Sequence, residues 1–510
     1  MSTVSNLKLL EKILSEGCKL ENFLGVDIKG RYNEIKDKYP TLLKEVRVHM
    51  WPHINLIFGP NSAAKTRYVF ETRTMTTIND DGLKLLKLCD GTRTTEQLLY
   101  NIFENMEATP EQGADKIVRF LILSKDVCNH IDFCESKSGP VSYSVTGSKE
   151  YITPIHFSIE LTSRCNLRCK HCYRYSSPDI DDVELMYEEI IDILQRMHAI
   201  GARYIEVTGG EMFLHPRVKD IMQYIGDNFD FIGLLTNGTA LTENMIEFLD
   251  KYKDKLIWSI SLESYDEKTH DDFRGLKGSF NKTVQAIKGL TSRGHAVRVA
   301  MTVTDENIDH VEKTLEFVRN ELKADWFGYN YVLPYGRGKD INWSIPQAQI
   351  LKRTKEIDDF ADQFPGFTNR FTEEQVVQMK RTQINCGAGW RTFTIGPNGV
   401  IRPCVLMEEG YLTLGNIKEM SIPDIMKTDV VKALYNLPWP LENTCGGCPN
   451  ESFCKFCAYR AFITNTERVK QGVGLCKWAE MNDVGRFVNI NNVDTDASGN
   501  CLLKTCSVNE

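Results

Sequence analysis

The stretch Thr162–Tyr175, TSRCNLRCKHCYRY, holds three cysteines within eight residues, at positions 165, 169 and 172. It continues directly from the run IHFSIELT (155–162), whose apolar residues predict a strand. A structural zinc site or an ordinary 4Fe–4S cluster takes four protein ligands, and this loop supplies only three. With the spacing Cys-x3-Cys-x2-Cys, three thiolates would face one cubane cluster and leave its fourth iron free for another ligand.

The region after residue 155 alternates between apolar strands and helical stretches. The predicted strands are IHFSIELT, RYIEVTGGE, FIGLLTNG, LIWSISLES, AVRVAMTV and WFGYNYVL. Six such strands joined by helices imply parallel pairing with right-handed crossovers. In such sheets ligands bind at the carboxyl ends of the strands. We therefore expect the cysteine loop and the segments TGGE, TNG and SLES to converge on one site.

The three-cysteine loop, placed after the first strand of a β/α repeat, resembles the cluster motif of radical S-adenosylmethionine (SAM) enzymes. This resemblance implies an α/β fold with a partial (β/α)6 barrel. It also implies that Cys165, Cys169 and Cys172 hold a 4Fe–4S cluster and act as the catalytic residues. SAM would bind the fourth iron, and its reductive cleavage would release a 5′-deoxyadenosyl radical. The alternative is a zinc site completed by a distant fourth ligand.

The segment TGGEMF, whose Gly209 lies 37 residues after Cys172, supports the same resemblance. Gly209 and Gly210 would allow close backbone approach, and Glu211 would accept a hydrogen bond from the methionine ammonium group of SAM. The other positions that the resemblance assigns to SAM binding are less specific, and TNG is nearly as typical of a turn. These positions are His171, Asn237, Ser261, Glu263, Arg298 and Leu333.

Seven further clustered cysteines lie between residues 386 and 480. They are Cys386, Cys404, Cys445, Cys448, Cys454, Cys457 and Cys476. The segments GPNGVIRPC and CGGCPNESFCKFC are similar to the seven-cysteine SPASM domain, which binds two auxiliary 4Fe–4S clusters. Two residues separate the last two cysteines of the central group, where the family pattern has three.

The SPASM resemblance also implies how these cysteines divide between the two clusters. The outer cluster would take Cys445, Cys448, Cys454 and Cys476. The inner cluster would take Cys386, Cys404 and Cys457. Three clusters need eleven thiolates and the three groups supply ten, so a thiol elsewhere or a substrate thiolate would complete the inner cluster. A zinc ribbon on the central group, Cys445 to Cys457, is the alternative.

The N-terminal segment has a different pattern. Two strands are predicted from TRYVFETRTMTTIND. Three helices are predicted from DGLKLLKLCDG, TTEQLLYNIFENM and TPEQGADKIVRFLILSKDV, and the second has a Thr94–Gln97 capping box. A ribbon followed by three helices predicts a winged helix-turn-helix. The stretch GTRTTEQLL resembles the pyrroloquinoline-quinone peptide chaperone family, whose domains capture a leader peptide on a sheet edge. The polar stretch 132–150 is predicted to be a linker.

These patterns together predict a division of the chain into five segments. Residues 1–150 would be a leader-recognition domain with its linker, and 151–340 the radical SAM core. A helical bridge (341–385), a SPASM domain (386–480) and a C-terminal tail (481–510) would follow. Six cysteines lie outside the clusters: Cys18, Cys89, Cys128, Cys134, Cys501 and Cys506. Isolated cysteines are typically small buried hydrophobes, and we predict this for the first four.

Composition limits the class of protein and its partners. The 510 residues carry a formal net charge of −8 without a basic stripe, which argues against nucleic acid as the main partner. No run approaches the roughly 18 apolar residues that cross a bilayer. The start, MSTVSNLKLLEKILSEG, predicts a helix with a polar face instead of a signal peptide. The protein is therefore predicted to be cytoplasmic, where clustered cysteines more often bind metal than form disulfides.

The resemblances together predict a peptide maturase that installs thioether cross-links in a ribosomally made precursor peptide. Its partners would be that peptide and an external electron donor such as flavodoxin or ferredoxin. The alternatives are carbon–carbon or carbon–oxygen cross-linking, or side-chain oxidation as in sulfatase maturation. A non-catalytic iron–sulfur or zinc redox sensor is the alternative from another class.

Overall fold

The computed structural model describes residues 28–59, 75–105, 110–126, 128–141, 143–180, 183–341, 344–370, 376–377, 385–409 and 411–486. The chain divides into two compact units, Met1–Ile152 and Thr153–Glu510. The predicted N-terminal helix with Cys18, the residues 66–74 of the predicted strand pair, and Cys501 and Cys506 of the tail lie outside the described residues.

The first unit combines short strands with four described helices. In chain order they are α1 (Ile28–Ile35), β1 (Tyr39–Leu42), β2 (Arg47–Met50), β3 (Asn55–Phe58), β4 (Met75–Ile78), α2 (Asp80–Leu88), α3 (Thr95–Asn105), α4 (Pro110–Asp126), β5 (Ile131–Cys134) and β6 (Ser144–Gly147). Strands β2, β3 and β4 are antiparallel neighbours, β6 pairs parallel with β2, and β1 pairs with β5. Three antiparallel strands thus precede three helices, and the winged helix-turn-helix stays a prediction.

Local signals fix the helices of this unit. The predicted capping box is present, since Thr94 N donates to Gln97 Oε1 at 3.0 Å and Gln97 N to Thr94 Oγ1 at 3.2 Å. Cys89 is fully buried in the core, as predicted, whereas Cys128 and Cys134 are only half-buried.

The linker prediction for residues 132–150 is wrong over part of its length. Strand β6 and most of β5 lie inside this stretch. The polar side chains of β6 gave no apolar pattern, but its backbone still pairs with β2, and Thr146 Oγ1 lies 3.1 Å from His49 Nδ1. An edge strand needs backbone hydrogen bonds more than it needs buried side chains.

The second unit is built on a nine-stranded sheet. Its parallel strands are β7 (His156–Glu160), β8 (Tyr204–Thr208), β9 (Phe231–Thr236), β10 (Leu256–Ser261), β11 (Ala296–Val303) and β12 (Trp326–Tyr331). The helices that follow them in turn are α5 (Tyr187–Ala199), α6 (Val218–Asn228), α7 (Glu243–Leu249), α8 (Glu267–Arg274), α9 (Ser279–Ser292), α10 (Val311–Asn320) and α11 (Gln347–Ala361). Neighbouring strands are in chain order from β12 to β7, so right-handed crossovers put the helices on one face.

The two faces of the sheet differ in side chains. On β11, Val297, Val299 and Val303 are fully buried, while the alternate residues Arg298 and Thr302 are half-buried. The apolar face packs under the helices. We call the opposite, more polar face the chamber face, because it is the concave side of a partial barrel. Because β12 forms one edge and β15 the other, the described strands form an open sheet, as expected for a partial barrel.

The C-terminal region extends this sheet and then becomes helical. Strand β13 (Thr392–Ile395) pairs parallel with β7, and β14 (Val400–Arg402) and β15 (Gly415–Asn416) follow antiparallel. The remaining helices are α12 (Ile422–Met426), α13 (Asp429–Asn436), α14 (Glu442–Cys445), α15 (Glu451–Cys454), α16 (Ala458–Lys470) and α17 (Lys477–Met481). Within the described ranges, every helix is too short or too polar to cross a membrane.

Candidate functional site

The cysteine loop leaves the carboxyl end of β7 and brings its three thiols together. Cys165 and Cys169 are 7% and 6% exposed and pack with Leu167 and the half-buried Cys172. Burial raises the pKa of the Cys165 thiol to about 12, and the neighbouring thiols of Cys169 and Cys172 add to the rise. Such thiols ionise only if a positive partner, such as iron, stabilises the thiolates.

Two side chains from other elements donate hydrogen bonds to these thiols. Arg274 Nη1 lies 3.2 Å from Cys169 Sγ, and Asn237 Nδ2 lies 3.7 Å from Cys165 Sγ. Arg274 is 5% exposed and is held by the Glu263 carboxylate at 3.1 Å. A buried guanidinium against a thiol suits an anionic ligand set, which is the fit expected for thiolates on an iron–sulfur cluster.

The TGGE segment lies directly against the cysteine loop. Gly209 has φ +140°, and a Cβ there would lie 2.6 Å from Thr162 O, while a Cβ on Gly210 would collide with Arg164 O. Gly210 N donates to Thr162 O at 2.7 Å, and Glu211 N donates to Arg164 O at 2.9 Å. In this structure the two glycines permit the approach of the loop backbone.

The Glu211 carboxylate is fully buried and well hydrogen-bonded. Its Oε1 accepts from Thr236 Oγ1 at 2.8 Å and from Phe213 N at 3.2 Å, and its Oε2 accepts from Asn237 N at 2.9 Å. Burial raises the pKa of Glu211, and these hydrogen bonds oppose the rise. Glu211 thereby ties the end of β8 to the TNG segment, which reaches Cys165 through Asn237.

The other predicted SAM contacts are placed unequally. Glu263 is fully buried, and Thr302 N donates to its Oε2 at 2.7 Å, while Ser261 ends β10 on the chamber face. The His171 ring packs against Phe273 at 4.9 Å between centroids, and burial lowers the pKa of His171 well below its ordinary value.

Arg298 and Leu333 lie further from this group. Arg298 pairs in register with Ser259, two residues before Ser261, so it sits deeper in the sheet. Leu333 is half-buried in the loop after β12. The structure thus places these residues in two chains of polar contacts, Glu211–Asn237–Cys165 and Glu263–Arg274–Cys169, whose cysteines pack together. Sequence reasoning missed Arg274.

A second arginine that sequence reasoning missed holds the loop from the other side. Arg337 donates to three backbone carbonyls, those of Cys169 at 2.8 Å, Tyr175 at 2.9 Å and Ser176 at 2.7 Å. The backbone N–H of Arg337 donates to Cys172 O at 2.9 Å. The GRG sequence at 336–338 was the available signal, since a glycine beside an arginine allows this close approach.

The remaining cysteines form two separate sets of thiols. Burial raises the pKa of Cys454 to about 11, and the thiols of Cys476, Cys448 and Cys445 raise it further. These four cysteines are the set expected for the outer cluster.

A second set contains the three thiols expected for the inner cluster. Burial raises the pKa of Cys404 to about 12, with further contributions from Cys386 and Cys457. The thiols that raise the pKa of Cys404 are thus different from those that raise the pKa of Cys454. Cys457 lies with Cys386 and Cys404 in spite of its shortened spacing.

Two family models match the chain. The model of the Radical SAM superfamily matches residues 159–318, and the model of SPASM, an iron–sulfur cluster-binding domain, matches residues 386–449. These ranges contain the three-cysteine loop and the start of the second cysteine region.

Similar proteins include two curated relatives and a solved structure. The antilisterial bacteriocin subtilosin biosynthesis protein AlbA of Bacillus subtilis is 31% identical over 88% of this chain and 97% of AlbA. An AdoMet-dependent heme synthase of Methanosarcina barkeri is 26% identical over 61% of this chain and 93% of that protein. The crystal structure of Streptococcus suis SuiB bound to precursor peptide SuiA has a TM-score of 0.57 at 13% identity, covering 83% of this chain and 97% of SuiB.

Proposed function

This chain belongs to the radical SAM superfamily, and we propose that it matures a ribosomally made precursor peptide by forming thioethers between cysteine sulfur and carbon atoms. As a superfamily member it is an enzyme that uses SAM and a 4Fe–4S cluster, and its SPASM domain binds auxiliary iron–sulfur clusters. The membership rests on the AlbA match, which spans nearly all of that protein.

The extent of the AlbA match carries the proposal of a peptide substrate. It covers 88% of this chain, more than the unit Thr153–Glu510 contains, so it extends into the N-terminal unit. The match to the heme synthase covers 61%, which the larger unit alone can supply. A shared N-terminal unit therefore accompanies likeness to a bacteriocin biosynthesis protein.

The cysteine loop is the proposed radical centre. Cys165, Cys169 and Cys172 would bind the cluster, and Glu211, Asn237 and the family-implied positions would bind SAM. When bound, the cluster and SAM together supply a 5′-deoxyadenosyl radical that abstracts a hydrogen atom. The Arg274 guanidinium donates to Cys169 and balances the negative charge of the thiolates.

Thioether formation removes two hydrogens from the peptide. One leaves carbon as a hydrogen atom, and the other leaves the cysteine thiol as a proton. One electron remains and needs an acceptor, which is the role proposed for the two auxiliary clusters on the SPASM cysteines. A flavodoxin or ferredoxin in the cytoplasm would supply the electron that starts each turnover.

The N-terminal unit is proposed to bind the leader segment of the peptide. Strand β4 is an edge of its described sheet, and Thr77 on it is exposed. An extended peptide can add to such an edge through backbone hydrogen bonds. The core segment would then reach the chamber face of the larger unit.

Mass spectrometry tests the reaction. The anaerobically reconstituted enzyme is incubated with SAM, a reductant and a short cysteine-containing peptide encoded beside its gene. Each thioether should lower the peptide mass by two hydrogens and protect one cysteine from alkylation. A product that lacks two hydrogens while all its cysteines alkylate would replace thioether formation by carbon–carbon or carbon–oxygen cross-linking. A protein that never cleaves SAM would point to a redox sensor.

A further inference from the structure

Two neighbouring side chains of helix α16 contact thiols of the outer cysteine set. Thr464 Oγ1 lies 3.3 Å from Cys454 Sγ, and Asn465 Nδ2 lies 3.3 Å from Cys476 Sγ. Cys454 is 7% exposed and Asn465 is 1% exposed. Both contacts are therefore shielded from water. A hydrogen bond has a larger electrostatic effect in the protein interior than in water.

The amide of Asn465 has one orientation that satisfies all its neighbours. Its Oδ1 accepts from Cys476 N at 2.7 Å, so the oxygen must face the backbone of that cysteine. Its Nδ2 donates one hydrogen to Ala461 O at 2.7 Å and has one hydrogen left. That second hydrogen is directed to Cys476 Sγ, which uses the full donor capacity of the amide.

The contact of Thr464 also has a defined direction once the cysteine binds iron. A free thiol and a hydroxyl can each donate to the other. An iron-bound thiolate has no hydrogen, so the Thr464 hydroxyl must then be the donor. Because successive residues of a helix point about 100° apart, α16 can supply donors to two different ligands of one cluster.

We propose that Thr464 and Asn465 are positioning residues that hold the outer auxiliary cluster and raise its reduction potential, by donating hydrogen bonds to the ligand thiolates of Cys454 and Cys476. This inference rests on the proposed assignment of Cys445, Cys448, Cys454 and Cys476 to one cluster. Reduction adds negative charge, part of which falls on the sulfur ligands. A donor to sulfur stabilises the reduced state more than the oxidised state, and so raises the potential.

Asn465 has a second effect that follows from its position. Cys476 lies in a chain segment after α16, eleven residues beyond Asn465, and the bond from Cys476 N to Asn465 Oδ1 fixes its backbone. Arg468 holds the same segment through a bond from its Nε to Gly474 O at 3.1 Å. The chain's own hydrogen bonds therefore position the last outer ligand.

The test is a redox titration of the full-length reconstituted protein, followed by electron paramagnetic resonance. Cys476→Ala identifies the outer cluster by the signal that it removes. Thr464→Val keeps the shape of the side chain and removes the donor, and Thr464→Ser keeps the hydroxyl. Thr466→Val is the matched control, because its buried hydroxyl bonds to Phe462 O at 3.0 Å on the same helix.

We expect Thr464→Val to lower the equilibrium constant for reduction of the outer cluster about tenfold, which is about 59 mV for one electron. Iron content and the inner-cluster signal should stay unchanged, and Thr464→Ser and Thr466→Val should match the parent. Asn465→Leu should lower iron content by about four per chain, the content of one cubane. An unshifted potential in Thr464→Val with full iron content, or an equal shift in Thr466→Val, would overturn the inference.

These readouts separate this inference from the proposed function. The redox titration needs neither peptide nor turnover, so a failed thioether assay would leave it intact. A reconstituted protein with stoichiometric zinc in the outer site would instead remove the cluster on which the inference rests.

Discussion

The Arg402 guanidinium lies 2.6 Å from the Glu160 carboxylate, and each side chain is only 1% exposed. Glu160 ends β7, just before the cysteine loop, and Arg402 ends β14 in the hairpin that precedes Cys404. Arg174, on the far side of the cysteine loop, lies 3.2 Å from the same carboxylate. One buried carboxylate thus joins the proposed radical centre to the segment that carries Cys404, a proposed ligand of the inner cluster.

Glu160→Gln should therefore destabilise the larger unit. The substitution keeps the volume of the side chain but leaves Arg402 buried without its counter-charge. Breaking a buried ion pair in this way costs about 3–5 kcal/mol. Denaturant unfolding under anaerobic conditions measures the loss.

The exposed pair of Lys268 and Asp272, whose side chains are 85% and 56% exposed, gives the control. Lys268→Met should leave the unfolding midpoint nearly unchanged, because water screens such a pair. If Glu160→Gln behaved like Lys268→Met, the buried pair would not be what joins these segments.

Removal of the three thiols of the cysteine loop should abolish the cluster of the radical centre and leave the auxiliary clusters in place. In the triple variant Cys165→Ala, Cys169→Ala and Cys172→Ala, the other cysteine sets are untouched. Iron content after reconstitution should fall from about twelve to about eight per chain, as expected for the loss of one cubane. The variant should no longer make 5′-deoxyadenosine from SAM. Any residual 5′-deoxyadenosine formation would show that the assignment is wrong.

Gly210→Ala should damage the radical centre through sterics alone. The new Cβ would meet the Arg164 carbonyl oxygen, so the cysteine loop would have to move away from β8. We expect the variant to lose about four irons per chain and to cleave SAM at least tenfold more slowly. Gly139→Ala is the matched control, because a Cβ at Gly139 would meet no atom within 4 Å. Full iron loading in Gly210→Ala would show that the loop does not depend on this close approach.

The strands of the larger unit were predictable because their signals are local. The six apolar runs from IHFSIELT to WFGYNYVL contain β7 to β12, and each lies beside a turn or a helical stretch. Arg274 had no local signal, and the GRG sequence around Arg337 did not indicate which segment that arginine contacts. The two arginines reach Cys169 across 105 and 168 residues of sequence, and only the folded sheet brings them there. Strand β6 was missed for a related reason, since an edge strand is defined by its partner's backbone.

The stability of the chain should fall as the solution becomes mildly acidic. Burial, with a further contribution from Arg274, lowers the pKa of His270 to about 3, and its Nδ1 accepts a hydrogen bond from Glu263 N at 3.1 Å. In the unfolded chain this histidine has a pKa near 6.5 and binds a proton below that pH. In the folded chain it stays neutral at the same pH. The contribution of His270 to the free energy of unfolding is therefore fully present above about pH 6.5, and it is lost as the pH falls toward the folded-state pKa.

This histidine alone should cost about 2 kcal/mol between pH 7 and pH 5. The urea midpoint measured at both pH values checks the loss. His270→Asn, which cannot take up the proton, should show a smaller difference between the two midpoints than the parent. An equal difference in the variant would assign the acid sensitivity to other groups.

Binding and chemistry should separate between the two units of the chain. A variant that lacks residues 1–152 keeps the described cysteine sets, all of which belong to the larger unit. Iron content near that of the full chain serves as the check that this unit has folded. SAM cleavage without peptide should then stay near the level of the full chain, because its proposed ligands are retained. Affinity for the precursor peptide should fall at least tenfold, because the proposed leader site is gone.

Binding is measured by fluorescence anisotropy of labelled peptide with and without its leader. In the full chain, removal of the leader should weaken binding to a similar extent, whereas in the shortened chain it should make little difference. If the shortened chain still distinguished the two peptides, the leader would be bound by the larger unit, and the role proposed for the β4 edge would be wrong.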